Sequence, residues 1–319
     1  MRAEDPLHHP SGGPPPRSGE DQFISALRAL ATHPAARGLA DDAAVLEIGG
    51  ERLVLTHDMI VEGVHFLPSD PPEDVAWKLV AVNLSDLAAK GAEPLGILLG
   101  YTLGDDDWNA AFLRGLSQAC QAGDVPLLGG DTVSGPARVL GLTAIGRAAG
   151  PVPSRAAARP GDRLFVTGTI GDAGLGLRIA RGEIEGPTAL LARYRRPLPR
   201  LADGIALAPQ VSAMMDVSDG LLLDAFRMAA ASGVAVTIAL DAVPLSAHLL
   251  EIAPDTLATR LAASVAGDDY ELLFAAPAAP PGIACTEIGA FSPGAGLRLS
   301  HEGAAVPHPD NLGYVHRSA

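Results

Sequence analysis

Six short acidic clusters set in turn-like sequence constrain this chain more than any other feature: Asp41-Asp42, Asp58, Asp86, Gly130-Asp131-Thr132, Asp216-Val217-Ser218-Asp219-Gly220 and Gly267-Asp268-Asp269-Tyr270-Glu271. Taken singly, each reads as a helix cap or a turn, the ordinary work of aspartate. Folded together, carboxylates repel by roughly 4 kcal/mol per close pair at an effective dielectric near 20, unless cations sit between them. Hard oxygen ligands spread along a chain point to Mg²⁺, and Mg²⁺ commonly accompanies phosphate.

Charge and composition narrow the class of ligand. With 319 residues and 48% hydrophobic content, the chain can build two buried cores. Its net charge of -14 excludes a phosphate-backbone binder, which needs a basic face. A phosphate ligand must therefore be small and accompanied by metal, with no nucleic acid involved. Lys78 and Lys90 are the only lysines, so no Gly-x-x-x-x-Gly-Lys-Ser/Thr phosphate loop is present. Cys120 and Cys285 stand far apart and suggest neither a disulfide framework nor a zinc ribbon. Residues 1–18, rich in Pro, Gly and His, read as a disordered tail without a signal-peptide core. No stretch is apolar enough to span a membrane, so a soluble protein is expected, and the two lone cysteines fit a reducing cytoplasm.

Periodicity predicts two α/β units, an N-terminal one over 19–150 and a C-terminal one over 151–319, divided by a Pro-, Arg- and Ala-rich stretch between Gly150 and Gly161. Ala43 to Leu55 reads as a hairpin about Gly49-Gly50, with Asp42 just before its first strand and Asp58 just after its second. Pro71 opens a helix whose apolar face is Val75, Leu79, Val82 and Leu87; Asn83, Asp86 and Lys90 share its polar stripe. Leu95 to Leu103 reads as a buried strand, and Gly130-Asp131 is expected to follow the end of a strand at Leu127-Leu128. In the second unit a glycine-rich turn spans Gly168 to Gly174. Met214 to Val217 ends a strand at Asp216, Ser218 or Asp219 caps the helix Leu221 to Ala231, and a strand begins at Tyr270. The acids thus fall at strand ends and corners, where a scaffold presents ligands to a cleft.

These motifs, in this order, resemble the thiamine-monophosphate kinases, a family within the aminoimidazole ribonucleotide synthetase superfamily. The resemblance is carried by Asp41-Asp42-Ala43-Ala44-Val45, by Asp58 through Phe66, by Lys78 through Gly91, by Gly129-Gly130-Asp131-Thr132, by Pro160-Gly161-Asp162, by Asp216 through Gly220 and by Asp268 through Leu272. It implies a two-domain α/β fold with mixed sheets and a homodimer joined through the N-terminal sheets. It implies transfer of the ATP γ-phosphoryl group to thiamine monophosphate, giving thiamine diphosphate. By the same resemblance, Asp42, Thr56, Asp58, Asp86, Asp131 and Asp216 are Mg²⁺ ligands, and Asp219 holds a further ion near the transferred phosphate. Asp86 and Asp219 carry the catalytic assignment. Gly130, Asp131, Arg147 and Ser218 contact ATP, while His65, Asp268 and Tyr314 contact the thiamine phosphate. Three positions depart from the family pattern: His57 replaces Thr or Ser, Asp268 replaces Glu, and Val133 replaces a second Thr. Other members of the superfamily fit less well, since the N-terminal segment lacks the reactive Cys and Lys of selenophosphate synthetases. The chain also lacks the C-terminal Cys of hydrogenase maturation factors.

Overall fold

The computed structural model describes residues 19–316; the predicted tail, residues 1–18, lies outside them. The first half contributes α1 (Gly19–Leu27), β1 (Ala44–Ile48), β2 (Glu51–Val61), α2 (Pro72–Ala89), β3 (Glu93–Thr102), α3 (Asp106–Ala122), β4 (Leu127–Val133) and β5 (Val139–Ala148). The second half contributes β6 (Arg163–Thr167), α4 (Asp172–Ala180), α5 (Thr188–Arg195), α6 (Leu201–Leu207), β7 (Ala213–Asp216), α7 (Leu221–Ser232) and β8 (Ala235–Ala239). It closes with α8 (Ala247–Ile252), α9 (Leu257–Val265), β9 (Leu272–Ala276), β10 (Cys285–Ser292), β11 (Gly296–His301) and β12 (Ala304–Val306).

Each half builds one mixed sheet. The first has the order β1-β2-β5-β3-β4, and the second β12-β11-β8-β10-β6-β9-β7. In the first sheet, β3 and β4 run parallel, which demands a crossover, and α3 supplies it. Asp105 caps that helix by accepting from the Trp108 N–H at 2.8 Å, and Asp106 and Asp107 place negative charge against the helix dipole in its first turn.

The helix α2 joins the halves. From Val75 to Lys90 every residue but Trp77 is buried, so the amphipathic helix expected from the apolar spacing is in fact covered all round. Val75, Leu79, Val82 and Leu87 pack into the first core with Val54, Ile97 and Leu142. Ala88 and Ala89 turn the other way and pack with Leu207, Met214 and Phe274 of the second half. Small residues make this approach possible: a Cβ on Gly204 of α6 would lie 2.0 Å from the Ala88 carbonyl oxygen.

Four expectations need correction. Asp58 does not follow its strand; β2 runs on past it because its pairing with β5 continues to Val61 opposite Val139. Gly130 and Asp131 likewise lie inside β4, held by parallel pairing to Leu99 and Gly100. The strand β3 is only half buried, with Leu95 and Leu98 exposed on the face opposite α2. Gly220, not Ser218 or Asp219, occupies the cap position of α7 and makes no side-chain cap bond. The apolar letters gave the strand cores but not how far pairing extends through polar residues.

Replacing Gly204 with Ala must push α6 away from α2 and should lower stability by about 1–3 kcal/mol. A urea unfolding midpoint equal to that of the wild-type protein would show that the two helices are not rigidly packed.

Candidate functional site: a carboxylate centre between two sheets

Asp42 precedes β1, Asp86 lies in the last turn of α2, and Asp216 ends β7. These three acids, distant in sequence, bring carboxylate oxygens within 4.8 Å of one another. The partners are as specific as the acids. Ser85 donates to Asp216 at 2.6 Å, Thr56 of β2 donates to Asp86, and Asn83 accepts from the Asp58 N–H at 2.9 Å. Three residues within one turn of a buried helix, Asn83, Ser85 and Asp86, thus hold groups on β2, on β7 and in the centre itself. The polar stripe predicted for α2 is buried here because the site lies between the two sheets.

Burial without enough positive charge disturbs the titration of these acids. Burial, followed by the charges of Asp58 and Asp216, pushes the Asp86 carboxyl well above the usual range. Burial raises Asp216 to about 7 despite the hydrogen bond from Ser85, and it raises Asp58 as well. Asp224, fully buried in α7, is also raised to about 7, by burial first and then by the charge of Asp219.

Lys90, with 0% of its side chain exposed, provides the fixed counter-charge. Its Nζ sits 2.5 Å from Asp41 and 2.6 Å from Asp42, and it donates to the Met214 carbonyl at 3.2 Å. Burial would raise the Asp41 carboxyl, but Lys90 and Arg37 outweigh it and hold the group below its ordinary value. Arg155 from the inter-sheet linker pairs with the other oxygen of Asp42.

A second group of residues borders the centre. Arg227 of α7 pairs with Asp219, and Asp224 accepts from the backbone N–H groups of Ser218 at 3.2 Å and Asp219 at 3.1 Å. Asp268 takes an ion pair from Lys78 at 2.6 Å and a hydrogen bond from Tyr270 at 3.1 Å. Its φ of 68° places a non-glycine residue in the left-handed region, and Tyr270 does the same at 51°. The loop is nevertheless fixed, because Asp268 N–H donates to Ser218 O and Tyr270 N–H to Val217 O, both at 2.8 Å. Tyr314 N–H donates to Asp219 O at 2.8 Å, bringing Tyr314 and His316 to the same place; the rings of His65 and His316 lie 5.4 Å apart. Burial, then His316, lowers the His65 pKa.

Not every predicted residue joins this assembly. Asp131 is exposed on β4, where its side chain accepts from the Thr132 N–H at 2.9 Å. The neighbouring Gly130 has φ 153°, and a Cβ there would meet Leu99 O at 1.9 Å, so glycine is required. Arg147 stands opposite Leu53, whereas Asp58 on the same ladder stands opposite Leu142; Arg147 is 47% exposed and lies 3.4 Å from Glu93. The sequence reading missed Lys90, Arg155, Arg227 and Asp224 as parts of the site. Both of the chain's two lysines prove to be buried against acids of the motifs. Among the described residues, no helix is long and apolar enough to cross a membrane.

The raised acids give a pH dependence with a definite sign. In metal-free protein the folded state keeps protons on Asp216 and Asp224 that the unfolded chain releases above pH 3.8, so their contribution is complete below that value and is lost as pH rises through about 7. The melting temperature in chelator should therefore fall as pH rises from about 4 to about 7 and level off above that, and fall less in Asp216→Asn. An equal slope in the two proteins would remove Asp216 as its source.

The chain matches the AIR synthase related protein N-terminal domain over residues 40–148 and the corresponding C-terminal domain over residues 159–302. It is 41% identical to the thiamine-monophosphate kinase of Caulobacter vibrioides, over 98% of this chain and 94% of that protein. A solved structure of AaThiL complexed with AMPPCP and TMP superposes with a TM-score of 0.83 at 31% identity, covering 93% of this chain and 97% of that one. The thiamine-monophosphate kinase of Stenotrophomonas maltophilia K279a superposes with a TM-score of 0.74 at 36% identity, covering 89% and 96%. With both halves matched and sequence likeness extending over nearly the whole length, the chain belongs to the thiamine-monophosphate kinase family.

Proposed function

We propose that this protein transfers the γ-phosphoryl group of ATP directly to the phosphate of thiamine monophosphate, giving thiamine diphosphate and ADP, with several Mg²⁺ ions. The observation that carries this reading is the convergence of Asp42, Asp86 and Asp216 within 4.8 Å in a chain of this family. The donor set fits a hard divalent cation, being made of carboxylate oxygens with a hydroxyl, Thr56, beside them. Mg²⁺ bound there supplies charge neutralisation for the transferring phosphoryl group.

The chain's own residues do the rest. Asp42, Thr56, Asp58, Asp86, Asp131 and Asp216 hold the ions, and Asp219 organises charge near the acceptor. Gly130, Asp131, Arg147 and Ser218 hold ATP. His65, Asp268 and Tyr314 orient thiamine monophosphate; the Lys78–Asp268 pair at 2.6 Å fixes the shorter acid that stands in the Glu position. The attacking group is a phosphate oxygen already carrying negative charge, so the reaction needs positioning and electrostatics rather than a strong base. The two unpaired cysteines suit a reducing cytoplasm.

The site at Asp131 is completed by dimerisation in this reading. Every residue of the edge strand β4 is exposed, and Leu95, Leu98, Leu127 and Leu128 leave an apolar surface on the first sheet. A second copy covering that face would bury it and protect the open edge.

Purified protein given ATP, Mg²⁺ and thiamine monophosphate should yield thiamine diphosphate and ADP by chromatography; absence of both products overturns the reading. Asp86→Asn should keep its fold by circular dichroism and lose at least about 10²-fold in turnover. For the dimer, Leu128→Glu should shift the mass measured by light scattering from two copies to one, and an unchanged mass would place the interface elsewhere.

A further inference from the structure

Both oxygens of Asp42 lie against cations, although Oδ2 is buried without a hydrogen-bond partner. Lys90 lies 2.6 Å from Oδ2, and the guanidinium of Arg155 pairs with Oδ1. A divalent cation taking Asp42 as a ligand would sit beside both positive charges, and the repulsion favours release of the more mobile one. Lys90 cannot leave: it is fully buried and also held by Asp41 and by the Met214 carbonyl. Arg155 can. Its side chain is 21% exposed, its Nε has no hydrogen-bond partner, and it borders a cleft of about 930 Å³ that Asp219 and Arg227 also line. Only the side chain is free to move, because the Arg155 backbone carbonyl accepts from Ser232 Oγ at 3.1 Å.

We propose that Arg155 is the exchangeable cation of the carboxylate centre: it holds Asp42 while no divalent ion is bound, and when one arrives it turns into the adjoining cleft to bind a substrate phosphate. The proposal rests on the functional reading above for the phosphate and on the geometry alone for the exchange. An incoming dication repels the guanidinium from Asp42, and the planar fork of Arg fits two phosphate oxygens at once. The cleft volume is that of a small-molecule site. The exchange keeps the buried acids compensated in both states, with a guanidinium in one and a metal ion in the other. It also links metal binding to phosphate binding through one side chain.

Two readouts with opposite signs separate this role from a purely structural one. Arg155→Gln should bind Mn²⁺ alone, without nucleotide, more tightly by about 5-fold or more in an electron paramagnetic resonance titration, since a competitor for Asp42 is gone. The same variant should bind ADP or thiamine monophosphate more weakly in the presence of Mg²⁺. Mn²⁺ affinity that is unchanged or lower overturns the exchange. If the variant does not fold, the wild-type protein still decides: phenylglyoxal modification of Arg155, followed by peptide mass spectrometry, should accelerate on adding Mg²⁺. It should slow again on adding whichever phosphate the side chain binds, with ADP, thiamine monophosphate and inorganic phosphate tested separately. Labelling indifferent to Mg²⁺ overturns the exchange, and labelling that no phosphate suppresses overturns the second step. Neither metal binding nor labelling requires turnover, so failure of the kinase reading is seen separately in the product assay.

Discussion

The buried ammonium of Lys90 is the interaction on which the arrangement depends. A charge with no exposed surface is tolerated only when it is paired and fully hydrogen-bonded, and breaking such a pair costs several kcal/mol. Here three partners come from two segments: Asp41 and Asp42 ahead of β1, and the Met214 carbonyl in β7. Satisfying one lysine therefore fixes the end of α2 against the second sheet and the segment before β1 against both. Arg37 extends the same network, joining Asp41 to the carbonyl oxygens of Val152 and Pro153 at the start of the inter-sheet linker. The carboxylate centre has little freedom to collapse or spread once these contacts form.

Much of this was legible in the sequence, and what was not has a physical reason. Six acidic clusters were recognisable as one group because acids recurred in turn-like motifs, and three of them bring Asp42, Asp86 and Asp216 together. Gly91 follows α2 with a φ of 60°, the left-handed conformation in which a helix commonly ends on glycine. The reading failed where tertiary pairing overrides local signals. Asp58 and Asp131 look like loop residues beside Gly, Thr and His, yet lie in strands because neighbouring strands supply partners along their length. Basic residues were harder still: an arginine in a Pro- and Ala-rich linker carries no local mark that it will reach Asp42. The two lysines carried no such mark either, since the scarcity of lysine beside abundant arginine reads as coding bias.

The loops that complete the site from the second half are rigid in an unusual way. Positive φ at Asp268 and Tyr270 costs on the order of 1–3 kcal/mol each and persists only where the surroundings hold it. The backbone bonds from Asp268 and Tyr270 to Ser218 and Val217 are that support. Strain in one loop is thus balanced by pairing with the other, which places Asp219 and Asp268 in a fixed relation before any ligand arrives. Such preorganisation suits a reaction that relies on position and charge.

The double burial of α2 also has a consequence for how the chain is made. Synthesis proceeds from the N-terminus, so α2 emerges well before α6 and β7, the elements that cover its second face. Until Leu201 to Asp216 have left the ribosome, Lys90 lacks the Met214 carbonyl and Ala88 and Ala89 lack their packing partners. The first sheet cannot settle into its final state as an independent unit; it waits, with apolar surface open, for the second half of the chain. A nascent chain in this condition is the kind that chaperones attend to, and slow translation between the two halves would lengthen the exposure.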